Sequence, residues 1–350
     1  MERDMRVIDL RSDTVTHPTP EMRRAMVEAE LGDDVLGDDP TVHRLEALAA
    51  ERMGKETSVF VSSGTMGNLL AILSWCNRGD EVILGAQAHV LWHESAGSAA
   101  VAGTLLRAIP NDAGGRLDPA DVEAAVRTYR GGVSPTGLVA LENTQNRCNG
   151  AVLTAADTKA VTDVAHKHGL PVHLDGARVF NAAVALGVPA AALTAEVDSV
   201  TFCFSKGLSA PVGSALCGSV EFIGRARKWR KILGGGMRQA GVLAAAGIVG
   251  LQQMVPRLAE DHENAQQLAH GLASIPGIVI DPKAIQTNIV FFEWRGEPGQ
   301  EFLAKLNERG LKISGAAPRF RMVTHWGING EDIEEALEII ATAAKEAIPT

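Results

Sequence analysis

The residues best suited to chemistry sit at the ends of three apolar runs. In HLDGARVFNAA, residues 173–183, an apolar strand ends on Asp175 and a Gly turn leads into a helix. A carboxylate at the carboxyl end of a parallel strand faces the crevice where α/β sheets bind ligands, although an Asp placed there also commonly caps the next helix. Val200 to Phe204 runs into Ser205-Lys206-Gly207 and sets a lysine at the same edge. An amine partly stripped of water by an apolar wall is suited to forming a Schiff base, whereas an ordinary lysine would snorkel to solvent. Ser62-Ser63-Gly64-Thr65-Met66-Gly67-Asn68 joins TSVFV to a helical stretch. Backbone N–H groups and a helix N-terminus converge there as a phosphate would require, or the residues simply cap the helix. No Gly-Lys-Ser/Thr follows this turn and no Gly-x-Gly-x-x-Gly follows any candidate strand, which moves nucleotide triphosphates and dinucleotides down the ranking.

A phosphate cradle, an acid for a pyridinium nitrogen and an amine for an aldehyde together describe pyridoxal 5'-phosphate. An anion beside the ring nitrogen keeps it protonated, and the protonated ring is an electron sink for a carbanion at an amino acid's α carbon.

The elements that must position these groups alternate between short β-rich runs and Ala/Leu-rich helical stretches over residues 55–250, which predicts an α/β fold with a mostly parallel sheet. The expected strands are TSVFV, EVILG, GLVALEN, PVHLD, SVTFCFS and SALCGS, with helices over 67–76, 119–130, 154–168 and 177–186. A long helix is predicted from Gly241 to about Gly271, broken near Pro256. A smaller C-terminal α+β domain follows, with strands GIVIDP, TNIVFFEW and RFRMVTH and helices over 299–309 and 331–347. The expected division is an N-terminal arm at 1–18, a large cofactor-binding domain at 19–250 and a small domain at 251–350.

The 350 residues allow such a division, and 46% hydrophobic with 21% charged residues is ordinary globular usage. A formal charge of −9 argues against nucleic acid and anionic membranes as partners and favours a small amino-acid substrate. With no apolar leader and no uninterrupted membrane-length segment seen, the expected location is cytoplasmic. Cys76, Cys148, Cys203 and Cys217 form no Cys-x-x-Cys pair, so reduced thiols and no metal site are expected.

Across nearly its whole length the chain resembles the low-specificity threonine aldolases, pyridoxal-phosphate enzymes of the aspartate-aminotransferase-like fold (fold type I). The resemblance rests on IDLRSDTVT (8–16), GDDVLGDDPTV (32–42), SSGTMGN (62–68), LENTQN (141–146), HLDGARVFNA (173–182), SKGLSAPVGS (205–214), WRKILGGGMRQ (229–239) and FRMVTH (320–325), in that order. It implies that Lys206 carries the cofactor, Asp175 bonds the pyridine nitrogen and His89 stacks over the ring. Ser63, Gly64 and Thr65 would hold the phosphate. Lys231 and Arg238 would approach it from a neighbouring subunit, in a homotetramer with shared sites. Ser12, Arg178 and Arg321 would hold the substrate carboxylate. The implied reaction is cleavage of threonine or allo-threonine to glycine and an aldehyde, hence a place in glycine production. A β-eliminating lyase on the same fold and a non-catalytic pyridoxal-phosphate binder are the alternatives.

Two departures stand out. Gln145 occupies a position where the family usually has a histidine that helps place the substrate hydroxyl, and a glutamine side chain hydrogen-bonds without taking a proton. Leu36 stands where the family often has a tyrosine near the cofactor. His17, His43, His93, His166, His168 and His262 are read as structural.

Overall fold

The computed structural model describes residues 6–128, 131–296 and 298–347. Among these, the main sheet has strand order Thr57–Val61, Ser214–Gly218, Ser199–Cys203, Val172–Asp175, Thr136–Glu142, Glu81–Gly85, Leu105–Ile109. Only Ser214–Gly218 runs against its neighbours, so the carboxyl ends of the other strands share one edge. Val82, Ile83, Leu84, Leu138, Val139, Val172, Leu174, Val200 and Phe202 are all fully buried. Helices cover both faces, which explains why these strands read as continuous apolar runs rather than alternating ones.

Six of the seven strands were expected to within two residues. Leu105–Ile109 was not, because it is an edge strand with only Ile109 buried and so lacks the apolar signal. The helix expected over 119–130 is helical over Pro119–Ala125, and Tyr129 and Arg130 lie outside the described residues.

The long helix does not break at Pro256. Gly241–Val249 continues through a π-turn at Gly250–Met254 into Val255–Leu272. A widened turn just before a proline absorbs its missing N–H and the bulk of its ring. This 32-residue helix holds an 18-residue stretch of mean hydropathy 1.3, long and apolar enough to cross a membrane by length and composition alone. Its apolar face is instead shared between two cores. Ala244, Ala246, Leu251 and Leu258 join the core under the main sheet, while Ala265, Leu268 and Leu272 join that of the C-terminal region.

In that region an antiparallel sheet runs Ser314–Ala316, Arg319–Val323, Ile289–Trp294, Ile278–Val279. The N-terminal segment is stitched to it: Ile8–Asp9 pairs in parallel with Leu311–Lys312, and Leu10 O accepts from Val323 N. Ile8 and Leu10 are buried in the second core. Ser12 and Asp13 are thereby held over the carboxyl edge of the main sheet.

Candidate active site

Asp175 ends its strand in register with Glu142 on one side and Thr201 on the other. Its Oδ2 accepts from the Asn68 amide at 2.8 Å and its Oδ1 from Ala177 N at 3.1 Å. Asn68 lies in the first turns of the Gly64–Trp75 helix and also donates to Glu94 at 2.8 Å. The orientation of this amide is fixed from behind. His173 Nε2 meets Asn68 Oδ1 at 3.1 Å, His173 Nδ1 meets Ser199 Oγ at 2.9 Å, and Ser199 Oγ accepts from Trp75 Nε1. Burial pushes the His173 imidazole down to about 4, so it is neutral and serves as one donor and one acceptor. A chain of hydrogen bonds from the core thus holds Asp175 rigidly.

His89 begins the short helix His89–Trp92, and its Nδ1 contacts Glu94 at 2.9 Å. Burial opposes charge on both members of this pair. The bond to Glu94 and the nearby Asp175 nevertheless raise the imidazole above its usual range, while burial raises Glu94 as well. The same Glu94 oxygen also accepts from Asn68, and two donors on one oxygen favour the ionised carboxylate, so we assign a charged His89 paired with an ionised Glu94. His89, Glu94 and Asp175 could geometrically surround a cation, but the Asn68 amide bridges the two carboxylates, so no metal site is assigned.

Lys206 follows the Ser199–Cys203 strand, as expected. Its side chain is half-buried, and its charge acts on both His89 and Asp13. Its backbone carbonyl accepts from Thr16 Oγ1 at 3.3 Å.

Three chain segments converge around Asp13, Arg178 and Arg321. Arg178 Nε and Nη2 fork onto the two oxygens of Asp13, each at 2.7 Å, and both residues are buried. Asn288 adds a bond to Asp13 at 3.2 Å. Burial works against charge on Asp13, but Arg178 and then Lys206 hold its carboxyl well below the usual range. Arg321 donates to Asn146 Oδ1 at 3.0 Å and to Arg11 O at 3.2 Å. Its Nε is buried without a partner. Burial and the Arg178 charge push this guanidinium down to about 10. A half-buried guanidinium whose buried Nε is idle, beside the buried guanidinium of Arg178, suits an anion. Ser12 Oγ donates to Asp13 Oδ1 at 3.4 Å and accepts from Thr14 N at 3.2 Å.

At the other end Ser63 caps the helix by accepting from Met66 N at 3.1 Å, which leaves the N–H groups of Gly64 and Thr65 as the helix's unpaired first donors. A Cβ on Gly67 would meet Thr201 Oγ1 at 2.7 Å and Cγ2 at 2.5 Å. Gly67 therefore lets the helix start sit directly on the strand before Lys206. Thr201 Oγ1 is buried with no partner. Free N–H groups at one end, a fixed carboxylate in the middle and a lysine beside it fit a phosphorylated pyridine aldehyde.

Some expected residues lie elsewhere in this chain. Arg238 is exposed and pairs with Asp33 at 2.9 Å. Lys231 lines a separate cleft with Leu36, His43 and Gly236, away from Lys206. Gln145 is buried with its whole amide engaged: Nε2 donates to Gln87 O at 2.9 Å and Glu142 Oε2 at 3.2 Å, and Oε1 accepts from Arg147 N and Cys148 N. It shapes its loop and presents no free group to a substrate.

Of the histidines read as structural, His166 contacts Asp198 at 2.9 Å, His168 contacts Glu123 at 2.8 Å, and His262 contacts Asn181 at 3.2 Å. His93 differs, with its ring 5.3 Å from that of His89. The sequence reading assigns no role to Asn68, Glu94, Glu142 or Asp13. Glu142 could have been found by the rule that selected Asp175, since it too is a carboxylate at a strand's carboxyl end. Asp13 stands in the RSDTV string, but nothing local announces its partner 165 residues away.

The family model for Beta-eliminating lyase matches residues 9–294. The chain is 45% identical over 348 residues to low-specificity L-threonine aldolase 1 of Arabidopsis thaliana, covering 97% of each. It is 43% identical to the low specificity L-threonine aldolase of Escherichia coli strain K12, covering 94% of this chain and 97% of the relative. The structure superposes on Leishmania major threonine aldolase with TM-score 0.80 at 21% identity, over 95% of this chain and 98% of that one. It also superposes on an SPT structure solved with PLP, with TM-score 0.77 at 18% identity over 97% and 88%. The fold is therefore that of the fold type I pyridoxal-phosphate enzymes. Strand order, strand-end carboxylate and lysine, and whole-length likeness agree: the chain belongs to the low-specificity L-threonine aldolases, within the beta-eliminating lyase family.

Proposed function

We propose that this protein binds pyridoxal 5'-phosphate and cleaves threonine, allo-threonine and related β-hydroxy-α-amino acids to glycine and an aldehyde. The observation that carries this reading is the pairing of Asp175, locked by Asn68 at 2.8 Å, with the buried Arg178 and the half-buried Arg321 at the other end of the site. The cofactor supplies an electron sink for the α carbon. Lys206 is the residue to hold it, the N–H groups of Gly64 and Thr65 with Ser63 suit its phosphate, and Asp175 suits its ring nitrogen under His89.

Arg178, preset by Asp13, and Arg321 with its idle Nε hold the substrate carboxylate in one plane, with Ser12 alongside. A fixed carboxylate plane sets which bond at the α carbon stands perpendicular to the ring, and that choice separates aldol cleavage from other reactions of the same cofactor. A pure cofactor carrier needs no second arginine. The family model's own description favours one second reading, β-elimination.

The deciding assay supplies threonine, allo-threonine and a β-leaving-group amino acid. Glycine with aldehyde supports the aldolase, and pyruvate with ammonia supports the eliminase. Lys206→Ala should abolish both cofactor attachment and turnover, and a variant of normal activity overturns the reading. The exposed Arg238 and Lys231, in a cleft with Leu36, support a proposed homotetramer in which they complete a neighbour's phosphate site. Solution mass measurement tests that assembly. A cytoplasmic role in glycine production is proposed with it.

A further inference from the structure

We propose that His93 is the group that takes the proton from the substrate's β-hydroxyl, filling the role left open by the glutamine at position 145. The proposal rests on the aldolase reading above and adds to it the identity of the proton acceptor.

The other polar groups at this edge are already committed. Gln145 has no free donor or acceptor, as its amide is spent on Gln87 O, Glu142, Arg147 N and Cys148 N. Glu142 accepts from His89 N at 2.7 Å, Asn146 N at 2.9 Å and Gln145, so both its oxygens are occupied. His89 is tied through Nδ1 to Glu94 and held toward its charged form. An imidazolium cannot accept a proton. Arg178 and Arg321 are donors only.

His93 closes the short helix that His89 opens, with its N–H on His89 O at 2.8 Å. Its ring lies 5.3 Å from that of His89 at an interplanar angle of 48°. It is exposed, at the mouth of the site. The charged groups facing it come from each neighbouring element: His89 on its own helix, Arg147 in the loop after the Thr136–Glu142 strand, and Arg321 on the Arg319–Val323 strand. Arg147 is fixed there by its guanidinium, 4.5 Å over the Trp92 ring, and by its Nε bond to Gln87 at 2.9 Å. Partial burial and then these three cations lower the His93 imidazole below its ordinary range, so at neutral pH it is uncharged and has a free lone pair.

His93 lies 5.3 Å from His89 and is faced by Arg321, while Lys206 acts on both His89 and Asp13, so a substrate whose carboxylate sat on Arg178 and Arg321 would have His93 among the groups open to its β carbon. The β O–H bond breaks, its proton goes to a ring nitrogen of His93, and its electron pair becomes the second bond of the aldehyde carbonyl. The Cα–Cβ bond breaks, and its pair takes up a proton from water at the α carbon to give glycine, which balances the proton that leaves through His93. The exposed face of His93 then returns its proton to water.

The test compares full-length holoenzyme with His93→Gln and His93→Ala. Cleavage of threonine and allo-threonine should fall about 100-fold or more, within the range for loss of a general base. Exchange of the glycine α proton with D2O uses the cofactor, Lys206 and the arginines but no β-hydroxyl, and should stay within about twofold. In the wild type kcat/KM should rise with pH through an acid limb below the ordinary histidine value of about 6.5, and His93→Gln should lose that limb. Independently of turnover, the pH dependence of His93 carbethoxylation, followed by mass spectrometry, should place its titration below about 6.5, and Arg147→Gln should move it upward. Cleavage within a few-fold of wild type, collapse of glycine exchange together with cleavage, or titration at the ordinary value would each overturn the proposal. A wild-type enzyme that exchanges glycine but cleaves no β-hydroxy amino acid would instead overturn the aldolase reading.

Discussion

Asp13→Asn isolates the contact that ties the N-terminal segment to the carboxylate end of the site. Wild-type Asp13 is 0% exposed and Arg178 7% exposed, with two bonds of 2.7 Å between them. Asparagine keeps the shape but removes the charge, and its amide N–H groups then face the guanidinium or the Asn288 amide, donor against donor. Breaking one side of a buried ion pair leaves the other charge uncompensated, a cost of about 3–5 kcal/mol. Unfolding entropy of about 2.1 cal/mol/K per residue over 350 residues converts that to a Tm lowered by about 4–7 °C. Arg178 also loses its preset orientation, so KM for the amino acid should rise about tenfold, the equivalent of about 1.4 kcal/mol. The sign of the pH dependence follows from Arg178 and Lys206 depressing the Asp13 carboxyl against its burial. That contribution is fully present above the ordinary carboxylate value of 3.8 and is lost as pH falls through the depressed value. The Tm gap between wild type and variant should therefore be flat from neutral pH down to the ordinary carboxylate range and close only below it. Differential scanning calorimetry across that range measures it. A Tm change within about 1 °C together with an unchanged KM would refute the argument that Asp13 holds Arg178.

Asn68→Ala removes the amide bridging Asp175 and Glu94, so the variant should release pyridoxal phosphate on dialysis under conditions where the wild type retains it, read from cofactor absorbance. Burial first, and then the neighbouring Asp175, raise the Glu142 carboxyl above its ordinary value of 4.5. A raised acid stabilises the fold below its unfolded value and loses that contribution as pH rises. Tm should therefore fall from pH 5 to 8 more steeply in wild type than in Glu142→Gln, and parallel curves would contradict the assignment. Gly67→Ala drives a methyl against Thr201, whose Cγ2 would lie 2.5 Å away. This should cost about 1–3 kcal/mol by denaturant unfolding, and adding Thr201→Ala should recover most of it, because the contacts below 3 Å are to atoms that substitution removes.

How much of this was legible in the sequence depends on the reach of each interaction. Asp175, Lys206 and the Ser62–Asn68 turn could be read because each is announced by its own neighbours, an apolar strand ending at the sheet edge where ligands bind. The strand at Leu105–Ile109 escaped because an edge strand buries too little to carry the pattern. The break expected at Pro256 did not occur because a π-turn at Gly250–Met254 satisfied what the proline could not. Asp13 and Arg178, 165 residues apart, meet only because Ile8–Asp9 pairs with Leu311–Lys312 and so draws the N-terminal segment over the site. No local rule contains that pairing. His93 shows the same limit from the other side. As a lone histidine at a helix end it has nothing to distinguish it from His166 or His168, whose acidic partners account for them. What sets it apart is that three cations from separate elements face it and, among the described residues, no carboxylate is paired with His93 itself. That is a property of the assembled edge, and it makes a proton acceptor of a residue whose own sequence context predicts none.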